Sequence, residues 1–152
     1  MIYKAPFYAV NKAIYYALSN SDIGLEWFDS GVPIEEVEDY FKNRSEFAYG
    51  VFTTATSDTV SNKDAVIWDS TLGIEIYSNY KGRKVIAQKL EALLNFLSNN
   101  DGWQKLSQAL YNEGFALISV TVGNLTVNMP INDNTGIWQS GSTNLTLKLQ
   151  QL

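Results

Sequence analysis

Residues 66–97, VIWDSTLGIEIYSNYKGRKVIAQKLEALLNFL, contain the change of period on which the fold turns. Leu72, Ile74 and Ile76 alternate with Thr71, Gly73, Glu75 and Tyr77, the two-residue period of a half-buried strand. After Ser78 and Asn79 the period lengthens. Ile86, Leu90, Leu93 or Leu94, and Leu97 recur at three- and four-residue steps, which predicts an amphipathic helix. The unit is thus strand, turn, helix.

On its N-terminal side, residues 47–56 are rich in aromatic and β-branched residues and read as a second strand. Residues 57–64 are polar and read as an exposed loop between two antiparallel strands. Further back, Pro6 suits a first helical turn, and Phe7, Val10, Ile14 and Leu18 follow at helical spacing, so a helix is expected over about 6–19. Tyr8, Tyr15 and Tyr16 fall partly off that stripe and either lean over the sheet edge or form an aromatic interface patch. Residues 25–28 predict a short strand. Residues 33–43, PIEEVEDYFKN, predict a two-turn helix with Ile34, Val37, Tyr40 and Phe41 on one face and acids early, where the helix dipole favours them.

On the C-terminal side, residues 99–102 read as a turn, 103–112 as a short helix on Trp103, Leu106, Leu110 and Tyr111, and 115–122 as a strand. Residues 130–134 read as a turn. Asn144 to Gln150 alternate cleanly, with Trp138 beginning that strand across a bulge at Ser140 and Gly141. The order predicts one α+β domain over 1–152. Its mostly antiparallel sheet has four to five strands, with two main helices packed on one face and short inserted helices. The other sheet face, with Thr71, Glu75 and Tyr77, reads as too polar for a second core but open to burial by another subunit.

The 152 residues are enough for one core, and a 45% hydrophobic content is ordinary for a globular chain. No apolar run approaches the roughly 20 residues that span a bilayer, so no membrane role is expected. The chain has no cysteine and no histidine. That removes disulfides, thiolate catalysis, the usual zinc, haem and iron–sulfur ligation, and any Ser-His-Asp triad. No glycine-rich phosphate loop occurs. Glu35 and Asp39 are four apart, within the only dense carboxylate cluster (Glu35, Glu36, Glu38, Asp39), but no glycine-centred loop of oxygen ligands accompanies them. The expectation is no catalytic residue, no cofactor and no metal. A carboxylate-, lysine- or tyrosine-dependent enzyme is the weaker alternative.

The net charge of −5 is unevenly spread. Residues 21–46 hold eight acids against Lys42 and Arg44, a net of −6, leaving +1 for the remainder. The main helix begins with Lys81, Arg83 and Lys84. Such segregation fits solvated faces, or the two halves of a head-to-tail contact between copies. A cluster this short in an acidic protein is weak evidence for nucleic-acid binding.

The order of elements resembles the tail-terminator and tail-completion (head–tail joining, neck) family of tailed bacteriophages and prophages. The residues that carry it are the opening helix APFYAVNKAIYYALSN, the aromatic strand EFAYGVFTTAT, the strand and helix WDSTLGIEIYSNYKGRKVIAQKLEALLNFL, and the closing strands FALISVTVGNLTV and NLTLKLQ. The acidic segment at 32–46 and residues 103–112 depart from a minimal member, a difference compatible with another neck ring such as an adaptor. The resemblance implies a structural virion protein, not an enzyme, assembled in host cytoplasm and resident in the virion neck or tail. It implies a six- or twelve-fold homo-oligomeric ring beside neck, tail-tube or portal-associated proteins, with DNA passing through the lumen without specific binding. The residues expected at subunit contacts are Lys81, Arg83, Lys84, Glu35, Glu36, Glu38, Asp39, Glu75 and Tyr77, the acids either lining the lumen or docking on the neighbour's basic helix start. The remaining alternative is a generic oligomeric α+β protein-binding module.

Overall fold

The structure, a computed structural model, describes residues 2–29, 46–133 and 136–152. The helix expected over 33–43 lies outside the described residues. Helix α1 spans Phe7–Ser19, strand β1 Glu26–Phe28, β2 Ala48–Thr59 and β3 Ile67–Ser78. Helices α2 (Lys84–Ser98) and α3 (Asn100–Asn112) follow, then β4 (Phe115–Val122), β5 (Thr126–Val127), β6 (Ile131–Asp133) and β7 (Gly136–Gln151). The class is α+β as the sequence implies, but the described sheet has seven strands in place of four to five. Its main path runs β1-β2-β3-β7-β4, antiparallel except where β1 runs parallel to β2.

Strand β3 behaves as its alternation dictates. Trp68, Leu72, Ile74 and Ile76 are buried on one face, and Asp69, Thr71, Glu75 and Tyr77 stand half-exposed on the other. Its partner β7 pairs with it from Gln139 to Gln150 in unbroken register, so no bulge interrupts Ser140 and Gly141. The two strands bring Leu72 beside Leu145 and Trp68 beside Leu149, and β7 becomes an interior strand of the sheet, between β3 and β4.

The three described helices cover that apolar face. Helix α1 contributes Val10, Ala13, Ile14, Ala17 and Leu18; Phe7 is exposed instead. Helix α2 buries Ile86, Leu90, Leu93, Phe96 and Leu97, which settles the choice between Leu93 and Leu94. Helix α3 is as long as α1, thirteen residues, and not a short insert. It starts inside the expected turn, because Asn99 is extended and its Oδ1 accepts from Gly102 N at 2.8 Å, capping the new helix one residue after α2 ends. Gly114, at φ +92°, ends α3 in the left-handed region and turns the chain into β4.

The polar stretch at 57–64 is exposed but better bonded than a loop reading implies. Residues 57–59 extend β2, and Asn62 Oδ1 accepts from the backbone N–H groups of Asp64 and Ala65 at 2.8 and 3.0 Å in the hairpin turn. Residues 131–133 pair with the start of β7 and so are strand, not turn.

Irregularity is concentrated at the sheet margins. In β2 the register shifts between Phe52 and Ala55. Along the other margin, β4, β5 and β6 succeed one another beside β7. The register passes from Leu117↔Leu149 to Ser119↔Lys148, from Val122↔Leu145 to Thr126↔Ser142, and from Val127↔Gly141 to Ile131↔Trp138. At each step the margin advances one residue more than β7. Residues 115–133 are therefore one edge strand interrupted three times, each extra residue swapping the faces of the alternation and bending the edge.

Candidate assembly surfaces

The outer sheet face differs from its sequence expectation. Toward the Ser78 end of β3 it is aromatic. Tyr49, Val51 and Trp138 are buried there with Phe28, Phe47 and Tyr77 packed around them, a small second core. Tyr49 stacks on Tyr77 with ring centroids 5.4 Å apart, and Phe47 meets Trp138 edge-on at 5.6 Å. The strand pattern concealed this cluster because its members come from four strands or their flanks, each contributing one or two rings.

Glu75 and Tyr77 belong to this face, and the Tyr77 hydroxyl donates to Glu75 Oε2. Burial pushes the Tyr49 hydroxyl pKa up to about 12. The Tyr77 hydroxyl is raised as well, first by burial and then by the hydrogen bond and charge of Glu75. These two expected contact residues thus meet each other within the chain. Further along, the outer face becomes a shallow concavity of hydroxyl and amide side chains, with Thr53, Thr71, Thr126, Ser142 and Asn144 on its walls.

Lys81, Arg83 and Lys84 are exposed at the start of α2 and form no ion pair among the described residues. The helix has no side-chain cap and no acid in its first turn. Three cations therefore sit where the helix dipole is already positive, an unfavourable placement. Glu35, Glu36, Glu38 and Asp39 lie outside the described residues. The acids of the same segment that are described, Asp22, Glu26, Asp29 and Glu46, are exposed around β1 and the entry to β2.

Two further surfaces were not singled out by sequence reasoning. The first is apolar and projecting: Met129 is 81% exposed, Ile131 42% and Ile137 46%, all on or beside the β6–β7 hairpin. The readable signal was charge, since residues 114–132 contain no Asp, Glu, Lys or Arg. The second is a groove of about 290 Å³ between α1 and the shifted part of β2, where Phe7, Tyr8, Val10, Phe52, Ala55 and Leu72 supply most of the apolar wall and Asp29 stands at the side. Tyr8, Tyr15 and Tyr16 are all exposed on α1, and Tyr15 also touches Phe52 edge-on at 6.4 Å.

Among the described residues no group of three or more acidic side chains is placed to hold a metal ion. Nor is any helix there long and apolar enough to cross a membrane.

No family model matches the sequence, and no curated protein matches it. A search of solved structures finds the same fold in a chain from the virion of a native gene transfer agent (GTA) particle. The match has a TM-score of 0.57 at 10% identity and covers 97% of this chain and 99% of that one. At that identity the likeness is one of fold, extending end to end over both chains.

Proposed function

We propose that this chain is a structural virion protein of a tailed phage, prophage or phage-like particle. Its place is a ring at the neck or tail junction, as tail terminator or head–tail completion protein, around the DNA channel. The observation that carries the reading is the end-to-end match in fold to a virion chain of a gene transfer agent particle. The element order that resembles the tail-terminator and tail-completion family supports the finer assignment. The part played by the protein is then mechanical: it offers surfaces to copies of itself and to neck, tail-tube or portal-associated neighbours, and it performs no reaction.

The charge distribution suits this role. Head-to-tail contacts that close on themselves give rings. A channel wall without a basic stripe lets DNA slide, whereas a basic wall would hold phosphate through counterion release. Lys81, Arg83 and Lys84 face the neighbouring subunit in this reading, and the acids of residues 21–46 either answer them or face the lumen.

Native mass spectrometry with negative-stain imaging tests the proposal. A closed ring of six or twelve copies with a central opening is the expected result. A protein that stays monomeric at high micromolar concentration, alone and with tail-tube protein, would sink it.

A further inference from the structure

Residues 2–5 lie across one end of the core without joining the sheet. All four are exposed, Ile2 by 87% and Tyr3 by 54%, and Pro6, buried before the first turn of α1, marks where they leave the domain. Proline confines the residue before it to extended backbone, so Ala5 continues the segment as an arm and not as a further turn of helix. Among the described residues the backbone of this arm bonds to no other backbone. The side chain of Gln151 takes that place. Its Oε1 accepts from Lys4 N and its Nε2 donates to Ile2 O, both at 2.8 Å. Those are the two bonds that a parallel strand makes to the residues on either side of its opposite number, here Tyr3.

The arm covers aromatic side chains. Tyr3 meets Trp68 edge-on with ring centroids 6.1 Å apart. Lys4 Nζ donates to the Glu113 carbonyl, just past α3, at 2.8 Å and lies 5.4 Å from the centroid of the Phe115 ring. Trp68 and Phe115 are both buried there. Trp68 Nε1 also donates to Gln151 Oε1 at 3.4 Å, so one oxygen holds both the arm and the ring beneath it. These contacts differ in kind from those of the core. The bonds of Lys4 and Ile2 are open to water, and the β3–β7 ladder forms without them. A short segment held largely by one side chain gains little on ordering, and it opens at a far lower free energy than the sheet.

We propose that residues 2–5 are a strap that opens while the domain stays folded, with Gln151 as its catch. Closed, the strap seals the Trp68 end of the core. Open, it bares the edge of the Trp68 indole and the ring of Phe115, and it releases Lys4 from the Glu113 carbonyl. The hinge is the Ala5–Pro6 step, because Pro6 is buried and its carbonyl accepts from Val10 N at 2.8 Å within the first turn of α1. The strap is a property of the single chain and does not rest on the ring reading.

Hydrogen exchange read by NMR tests the strap proton by proton. In the wild type, Lys4 N–H and Trp68 Nε1–H should exchange at rates that low urea leaves unchanged, roughly a hundredfold or more faster than the amides of the β3–β7 pair. Gln151→Ala keeps the backbone pairing of β7 and removes the catch; it should quicken both protons about tenfold while the β3–β7 amides and the urea midpoint stay near the wild-type values. Tyr3→Ala leaves both Gln151 bonds in place, yet it should quicken Lys4 N–H as well, because the strap opens as one unit. Tyr3 is exposed, so this second variant carries the test alone should Gln151→Ala fail to fold. Strap protons that exchange only together with the β3–β7 amides overturn the proposal, and so does a Tyr3→Ala variant whose Lys4 N–H keeps the wild-type rate.

Discussion

The hydroxyl of Tyr77 donates a hydrogen bond to the carboxylate of Glu75, two residues earlier on the same face of β3. Two residues apart on a strand means the same side of the sheet, so the pair follows from the pleat itself. The neighbouring Tyr49 ring, stacked on Tyr77, shields it from water. Removing the hydroxyl with Tyr77→Phe leaves a half-buried carboxylate without its donor. The expected loss is about 1 kcal/mol in urea unfolding, and Glu75→Gln, which still accepts a hydrogen bond, should lose less.

The same cluster predicts an alkaline limit to stability. Both phenols are harder to ionise folded than unfolded, where their pKa is near the ordinary 10.0. Below pH 10 both states keep their protons and the contribution is fully present. As pH rises from 10 toward the Tyr49 value of about 12, the unfolded chain releases protons that the folded chain retains, and stability falls. With allowance for partial exposure, the decline attributable to Tyr49 is on the order of 1 kcal/mol. Urea midpoints at pH 8 and pH 11 should show it in the wild type. The Tyr49→Phe, Tyr77→Phe double variant should show a smaller drop.

Lys84→Glu should act in opposite directions on chain and assembly. It places an acid in the first turn of α2, where none stands now, and so should stabilise the free chain by about 0.3–1 kcal/mol. The same change removes a cation from the proposed subunit contact. Thermal unfolding of the dissociated protein should rise slightly while the oligomer mass falls or becomes more sensitive to dilution. A variant less stable than wild type, with assembly untouched, would reverse both expectations.

Gly50→Ala should disturb the junction of β1 and β2. A methyl group at Gly50 would collide with the six-membered ring of Trp27, which stacks on Phe52 at 5.5 Å. The tryptophan has to shift, and the expected cost is about 1–3 kcal/mol of overpacking strain. A change in tryptophan fluorescence together with a lower urea midpoint is the signature to look for.

Asn99→Ala should loosen the joint between α2 and α3. It deletes the side-chain acceptor for Gly102 N–H, at an expected cost of about 0.5–2 kcal/mol. Hydrogen exchange should quicken at the first turn of α3 before it does in the β3–β7 pair.

Much of this architecture was written into local pattern. The alternation of residues 71–77 fixed both the strand and its buried face, and the steps from Ile86 to Leu97 fixed the helix and the stripe it buries. The exposed tyrosines of α1 were visible as residues off the apolar stripe. Local periodicity succeeds in these places because burial on one side is its direct cause. It failed at Asn99, where a run of polar residues reads equally as turn or cap, and only the hydrogen bond to Gly102 decides between them.

The candidate surfaces divide in the same way. Composition and order alone carry the segregated charge, the cations at the start of α2, the uncharged run over 114–132, and the lack of any cysteine or histidine chemistry. Long-range pairing placed β7 beside β3, brought Tyr49, Tyr77 and Trp138 together on the outer face, and opened the groove between α1 and β2. Those facts depend on pairings between residues far apart in the chain. Composition and period record whether a side chain is buried, but not which distant partner buries it.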